Sequence, residues 1–357
     1  MKHLSRRVFL QQSAIAGLCV SAGFAQAPKP SRIKVGQIGT AHAHASGKME
    51  AMRKSQEYEV VGLVEPDPAR RAAIEKSKIY EGVPLLTEEQ LLNVSGLQAV
   101  AVETEVKDLL ATAARCVAAG KHLHLDKPAG ESLPTFQRLL DDATRQKLTV
   151  QMGFMFRYNP AFQLCFQLLR EGALGEVFSI DAAMSKLLSG SERKDLERYR
   201  GGSMFELGCH VIDAVVTVLG RPQKVTPYSR KVASAEDGLF DNSLAVLEYA
   251  KATVTVRSAL VEVEGGARRQ FVVCGTKGTF DIRPLEPAAA RLALDAPRGE
   301  FKKGYQDVKF ERQTGRYDGD FADLAKVIRG EKAFAFTPEH DLAVQETVLL
   351  ASGLSLG

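Results

Sequence analysis

The chain has 357 residues, 45% hydrophobic and 25% charged, with a net charge of +4. Such a length is long for one hydrophobic core and comfortable for two. Three of the net charges, Lys2, Arg6 and Arg7, sit at the N-terminus; the rest is near neutral, which excludes the basic balance of a nucleic-acid or membrane-surface binder.

The N-terminus reads as an address. Ser5-Arg6-Arg7-Val8-Phe9-Leu10 is a twin-arginine signature. An apolar run from about Ala14 to Phe24 follows, too short to span a bilayer. Ala25-Gln26-Ala27 is a small-x-small cleavage site before Pro28. Residues 1–27 are expected to be a signal peptide read by the twin-arginine export machinery, which makes the protein periplasmic or exported. That route moves folded proteins, so a client that needs a tightly held cofactor loads it first. Cys116, Cys165, Cys209 and Cys274 remain, far apart and without C-x-x-C spacing. They are expected to be buried rather than paired or bound to metal.

Residues 32–39 predict a strand ending in a glycine turn, and 43–54 a helix. Residues 58–64 predict a second strand, ending at Glu65-Pro-Asp67-Pro. Residues 97–102 are a strand, 106–119 a helix closed by Gly120, and 121–125 a strand ending at Asp126-Lys127-Pro128. A helix over 131–146 and a strand over 148–152 complete this half. Apolar strands alternating with helices imply a parallel sheet covered on both faces, and such sheets bind ligands at the carboxyl ends of their strands.

The first turn occupies the dinucleotide position. From Gly39, a full Gly-x-Gly-x-x-Gly fingerprint would place glycines where Ala41 and His44 stand. Alanine still lets a pyrophosphate approach, and a helix N-terminus still offers free N–H groups. Glu65 stands where a carboxylate binds the ribose hydroxyls of NAD and repels the 2′-phosphate of NADP, so NAD is expected over NADP. His42-x-His44 and His122-x-His124 open a rival reading, since such pairs ligate metals in barrel hydrolases. Neither a carbamylated-lysine context nor an eightfold repeat accompanies them, so no metal is expected.

In the second half, Gly201-Gly-Ser-Met-Phe-Glu-Leu-Gly-Cys-His-Val-Ile-Asp213 spaces Glu206, His210 and Asp213 by four and three. On a helix they share one face. Glu206 would then orient His210, which would take a proton from a substrate hydroxyl. Strand-like, β-branched runs follow at 239–249, 253–263 and 269–273. Gly275-Thr-Lys-Gly278 reads as a turn, and 321–329 and 340–350 as closing helices.

Four segments, in order, carry a resemblance. They are Ala119-Gly-Lys-His-Leu-His-Leu-Asp-Lys127-Pro128, Met152-Gly-Phe-Met-Phe-Arg157-Tyr-Asn159-Pro160, Glu171-Gly-Ala-Leu-Gly175-Glu-Val, and Glu206 to Asp213. Together they resemble the glucose-fructose oxidoreductase, inositol dehydrogenase and rhizopine-catabolism (Gfo/Idh/MocA) family from Ile33 to the C-terminus. The resemblance implies an α/β protein. A Rossmann NAD(P)-binding domain over 31–152 would precede an α/β substrate and oligomerisation domain over 153–357, built on a large, open, mostly antiparallel sheet. The family's Glu-Lys-Pro appears as Asp126-Lys127-Pro128, its Asp-x-x-x-His-x-x-Asp as Glu206 to Asp213, and its Thr-Pro-Asn as Thr104-Glu105-Val106. The catalytic lysine, histidine and acid therefore fall on Lys127, His210 and Glu206. Cofactor contacts fall on Gly39, Thr40, Ala41 and His42 in the turn, on Glu65, and on Thr104, Asp126, Lys127 and Arg157.

What the resemblance implies is hydride exchange between tightly bound NAD and a secondary hydroxyl of a sugar, polyol or glycoside, in a homodimer or homotetramer. It also admits a glycosidase that oxidises its sugar transiently and eliminates the leaving group. A non-catalytic, exported sugar-binding protein is the third reading.

Overall fold

A computed structural model describes residues 31–234, 236–310 and 315–357; the signal segment expected over 1–27 lies outside them. Five apolar runs form β1 (Ile33–Ile38), β2 (Tyr58–Val64), β3 (Leu97–Val102), β4 (His122–Leu125) and β5 (Val150–Met152). They pair in the order β2-β1-β3-β4-β5, all parallel. The connecting helices are α1 (Ala45–Lys54), α2 (Pro68–Ile74), α3 (Glu88–Leu92), α4 (Val106–Ala118) and α5 (Leu133–Arg145). The strand order reverses direction between β1 and β3, which opens a crevice at their carboxyl ends.

The expected helix over 43–54 begins later, at Ala45. The cause is local. The N–H groups of Ala41 and His42 both donate to the Glu103 carbonyl, at 3.1 and 3.2 Å, and hold the turn against the end of β3. α2 starts where Asp67 caps it, its carboxylate accepting from the Ala69 and Arg70 N–H groups.

After a single 3₁₀ turn (Met155–Tyr158), α6 (Pro160–Arg170) leads into the second layer. Its sheet holds β6 (Val177–Ala183), β7 (Lys224–Arg230), β8 (Asn242–Glu248), β9 (Thr253–Ala259), β10 (Gln270–Gly275), β11 (Gly278–Ile282), β12 (Ala290–Leu294) and β13 (Gly304–Val308). The order is β13-β12-β11-β10-β6-β9-β8-β7, antiparallel except for the parallel β6–β9 pair. The expected large, mostly antiparallel sheet is present. Between β6 and β7 lie α7 (Gly190–Glu197), a π-helical turn (Met204–Gly208) and α8 (Cys209–Leu219). Every residue of α8 from Cys209 to Val216 is buried. This helix packs against β6 and β9 on one side and α10 (Pro338–Ala351) on the other.

α9 (Asp318–Ile328) returns to the first layer. Phe321 joins Ile33, Val35, Met49 and Tyr58 in a small second core, and the Tyr58 hydroxyl donates to the Phe321 carbonyl at 2.8 Å. Cys116, Cys165 and Cys209 are buried and Cys274 half-buried, all as free thiols.

The same helix buries Asp320 completely, with neither carboxylate oxygen hydrogen-bonded to a described residue. Burial pushes its pKa up to about 8. The unfolded chain releases this proton near pH ~4, so the folded state binds more protons between the two values. Stability therefore falls as pH rises through that window. The Asp320→Asn variant should lack this component. Its melting temperature, compared with the native protein's at about pH 5 and about pH 9, is expected to fall less at the higher pH.

Candidate active site

The turn after β1 is fixed by the strands around it. Gly39 has φ +88°, and a Cβ there would lie 2.8 Å from the Thr104 nitrogen and 2.9 Å from the Glu103 oxygen. No side chain fits that approach. Glu65, buried at the end of β2, accepts from the Thr40 N–H at 2.8 Å and the Thr40 hydroxyl at 2.5 Å. Its other oxygen accepts from the Asp67 N–H at 2.9 Å. Gly39, Ala41, Glu65, Arg70, Arg71 and Thr104 line a cleft of about 830 Å³ at the point where the strand order reverses. An oriented carboxylate beside a backbone that tolerates no side chain fits the adenosine and ribose part of a dinucleotide.

Directly beneath the turn lies a buried charge cluster. Lys48, on the inner side of α1, places its Nζ 2.9 Å from Glu103 Oε1 and 3.0 Å from Asp126 Oδ2, with no part of the three side chains exposed. His42 Nδ1 is 2.7 Å from Asp126 Oδ2, and His44 Nδ1 is 3.4 Å from Asp126 Oδ1. The Lys127 N–H donates to Asp126 Oδ1 at 2.7 Å. Burial opposes the charges of Lys48, Glu103 and Asp126. The carboxylates nonetheless hold Lys48 up at about 12, and His42 and Lys48 hold Asp126 well below the usual carboxylate range against burial. Burial, then the neighbouring Asp126 charge, raises Glu103. Gly153 leaves the space this cluster needs: a Cβ there would lie 2.8 Å from Lys48 Nζ.

The reactive lysine stands one residue beyond Asp126, past the end of β4. Lys127, fully buried, donates from Nζ to the Glu206 carbonyl at 2.8 Å and to Glu206 Oε1 at 2.9 Å. Burial works against both charges, but the pairing wins: Lys127 is raised and Glu206 is held down at about 2. An ammonium has three donors, and Glu206 takes two, so one remains for a ligand oxygen. His210 is buried on α8, with Phe154 and Phe156 meeting its ring edge-on at 6.2 and 5.8 Å. Burial and the Lys127 charge keep its imidazole neutral, its pKa well below the ordinary value.

The spacing of Glu206, His210 and Asp213 misleads about who orients whom. Glu206 lies in the π-helical turn, where the repeat is wider than 3.6 residues. Its carboxylate goes to Lys127, and His210 Nδ1 has no hydrogen-bond partner among the described residues. Asp213 faces away, taking Arg157 Nη2 at 2.6 Å and lying 3.4 Å from His340 Nε2. Arg157 is fully buried between Asp213 and Asp341 and lies over the Phe336 ring at 3.9 Å. The structure thus assigns Arg157 to joining the 155–158 turn, α8 and α10. The cofactor role expected of it has no support in this geometry. The side chains of Asp126 and His42 are likewise spent on each other.

The other histidine pair divides its work. His122 Nδ1 accepts from the Thr149 N–H at 3.0 Å. His124 Nδ1 lies 2.8 Å from Gln151 Oε1, and burial lowers its pKa to about 3. Among the described residues, two clusters bring potential metal-ligand atoms together, His42–His44–Asp126 and Asp213–His340–Asp341. In both, a buried cation already sits on the carboxylate, Lys48 in one and Arg157 in the other. That charge opposes a divalent ion. Sequence reading missed Lys48 and His340; a lysine four residues after His44 on an otherwise apolar helix face was the available signal for the first.

Two family models match the chain. "Oxidoreductase family, NAD-binding Rossmann fold" covers residues 33–154, and "GFO/IDH/MocA C-terminal domain" covers 162–281. The D-xylose 1-dehydrogenase (NADP(+)) 2 of Haloferax volcanii is 27% identical over 71% of this chain and 78% of its own. The trans-1,2-dihydrobenzene-1,2-diol dehydrogenase of Xenopus tropicalis is 25% identical over 47% of this chain and 50% of its own. The chain spans between 50% and 65% of the length of several curated relatives it matches. A solved oxidoreductase from Agrobacterium radiobacter, in complex with NAD+, L-tartaric acid and magnesium, shares the fold with a TM-score of 0.76. It is 16% identical, over 89% of this chain and 94% of that one. With both models matched in order across the two sheets described above, the chain belongs to the Gfo/Idh/MocA oxidoreductase family.

Proposed function

We propose that the protein exchanges hydride between a tightly held NAD and a secondary hydroxyl of a sugar, polyol or glycoside. The observation that carries this reading is the Lys127 ammonium, locked by Glu206 with one donor to spare and acting on the neutral imidazole of His210. When bound, the dinucleotide supplies the hydride acceptor. The chain's own residues do the rest. Gly39 and Ala41 admit the phosphates, and Glu65 takes the ribose hydroxyls. Lys127 directs its free N–H at the substrate oxygen and steadies the negative charge that develops there. His210 accepts the hydroxyl proton. Glu206 keeps Lys127 charged and aimed, in place of the imidazole-orienting role its spacing suggested.

The Glu65 carboxylate favours NAD over NADP, because it would face a 2′-phosphate at close range. Two arginines of the cleft are already engaged, Arg71 with the Glu65 carbonyl at 2.8 Å and Arg70 with Glu105 at 2.7 Å. Names of relatives that mention xylose and a diol support a small polyhydroxylated substrate. The twin-arginine signature and the Ala25-Gln26-Ala27 site support export through the twin-arginine machinery. Half-buried Leu244, Val246 and Val272 on one face of the eight-stranded sheet support a homodimer or homotetramer.

Export as a folded protein demands a cofactor that does not leave. Purified protein is expected to carry near-stoichiometric NAD through gel filtration, read by assaying the supernatant after denaturation. Gly39→Ala, with its Cβ driven into the Thr104 nitrogen, should emerge without it. Protein that is clean of nucleotide, and remains so after incubation with excess NAD, would remove the reading.

Lys127→Met and His210→Gln should each lower turnover by roughly 10²–10⁴-fold while the protein stays folded. The measurement is oxidation of myo-inositol, D-xylose, D-glucose and methyl glucosides, with an artificial electron acceptor added to reoxidise the bound cofactor, alongside circular dichroism. Unchanged rates in either variant would reassign the residue.

A further inference from the structure

The site contains an imidazole held by an acid, but it is not His210. His44 stands where the dinucleotide fingerprint would have its third glycine, and its Nδ1 faces Asp126 Oδ1. Its ring centroid lies 6.1 Å from that of His210 and 5.7 Å from that of Tyr317. His210 is 1% exposed, so a proton it accepts has no direct way to water. Two of its ring neighbours are Phe154 and Phe156, which cannot carry one. The third is His44, whose side chain keeps 14% of its surface exposed.

We propose that His44, held through Nδ1 by Asp126, carries the proton between His210 and solvent. The proposal rests on the hydride-exchange reading above. Its balance is simple. The substrate O–H bond breaks and its proton goes to His210, while the carbon–hydrogen electron pair leaves as hydride for the oxidised nicotinamide. His210 then gives the proton, directly or through one water, to the bare Nε2 of His44. His44 surrenders it to solvent, and both imidazoles end neutral.

The surroundings suit a carrier rather than a proton store. Burial lowers His44 to about 4, with Asp126 pulling upward and Lys127 and His42 pushing downward. Besides these, His210 faces it from α8 and Tyr317 from the segment before α9. Lys48, on α1, takes the other oxygen of Asp126. His44 is therefore neutral at ordinary pH, with a lone pair to offer and no tendency to keep what it receives. His44 is a positioning and relay residue: it acts through His210.

The test is His44→Gly, which restores the glycine of the fingerprint and opens a ring-sized space. NAD content should match the native protein's. With the best-turned-over member of the polyol panel, kcat should fall roughly 10²-fold with KM kept. Added imidazole should restore at least about tenfold of it, as a neutral carrier occupying the space, and should restore nothing in His210→Gln. Native kcat in His44→Gly, or a loss that imidazole does not reverse, would overturn the proposal. Should His44→Gly fail to fold, His44→Gln keeps the volume and the Asp126 contact; it should be equally slow, and native kcat in it would overturn the proposal. A substrate-free readout is the long-range ¹H–¹⁵N histidine spectrum at neutral pH. His44 is expected as the Nδ1–H tautomer, and the Nε2–H tautomer would count against the relay. If the native protein neither holds NAD nor reduces it, the hydride reading itself has failed, which a comparison of variant with native rates cannot imitate.

Discussion

The carboxylate of Asp126 has no exposed atom, yet four groups from three parts of the chain converge on it. Lys48 comes from α1, His42 and His44 from the turn, and the N–H of Lys127 from the end of β4 itself. A charge buried this deeply is tolerated only when it is paired and hydrogen-bonded. Asp126 therefore fixes where α1 sits, how the turn lies, and at what angle the chain leaves β4 to present Lys127. Removing it would leave Lys48 buried with Glu103 alone, and would free two imidazoles.

Charge pairing recurs at each junction of the site. Lys127 is held by Glu206, which links the nucleotide layer to the segment before α8. Arg157 is held by Asp213 and Asp341, which links the first turn of the second layer to α8 and α10. Removing one partner of such a buried pair costs far more than the pair contributes. These contacts act chiefly as position markers. They let a lysine from one layer and a histidine from another meet with little freedom to drift, which hydride and proton transfer require.

The histidines show what loss of glycine allows. In a turn read by its glycines, Ala41 and His44 look like damage. In the folded protein the backbone conformation that needs glycine occurs at Gly39, which is kept. Of the two later positions, Ala41 lines the cleft, and His44 joins His42 on the buried carboxylate of Asp126. The same substitution that weakens the fingerprint therefore builds the polar cluster beneath it.

Periodicity and composition alone determined the strand–helix alternation of the first half, with β2 and β3 placed at their observed ends. Motif position and spacing gave the carboxylate closing β2 and the pair Glu206 and His210, while Lys127 came from the family resemblance alone. These are local properties: apolar runs, turn residues and motif spacing act within a few residues of one another. The strands β7, β11, β12 and β13 were not read from the sequence, because pairing with their neighbours decides them. Nor did the sequence decide which acid serves which base. The four-residue spacing of Glu206 and His210 assumes a helix of 3.6 residues per turn, and the π-helical turn at Met204–Gly208 breaks that assumption. Pairing between Lys127 and Glu206, between Arg157 and Asp213, and between His44 and Asp126 joins residues 79, 56 and 82 positions apart. Only the packing of the two layers brings such residues together, and the cost of an unpaired buried charge then selects their partners.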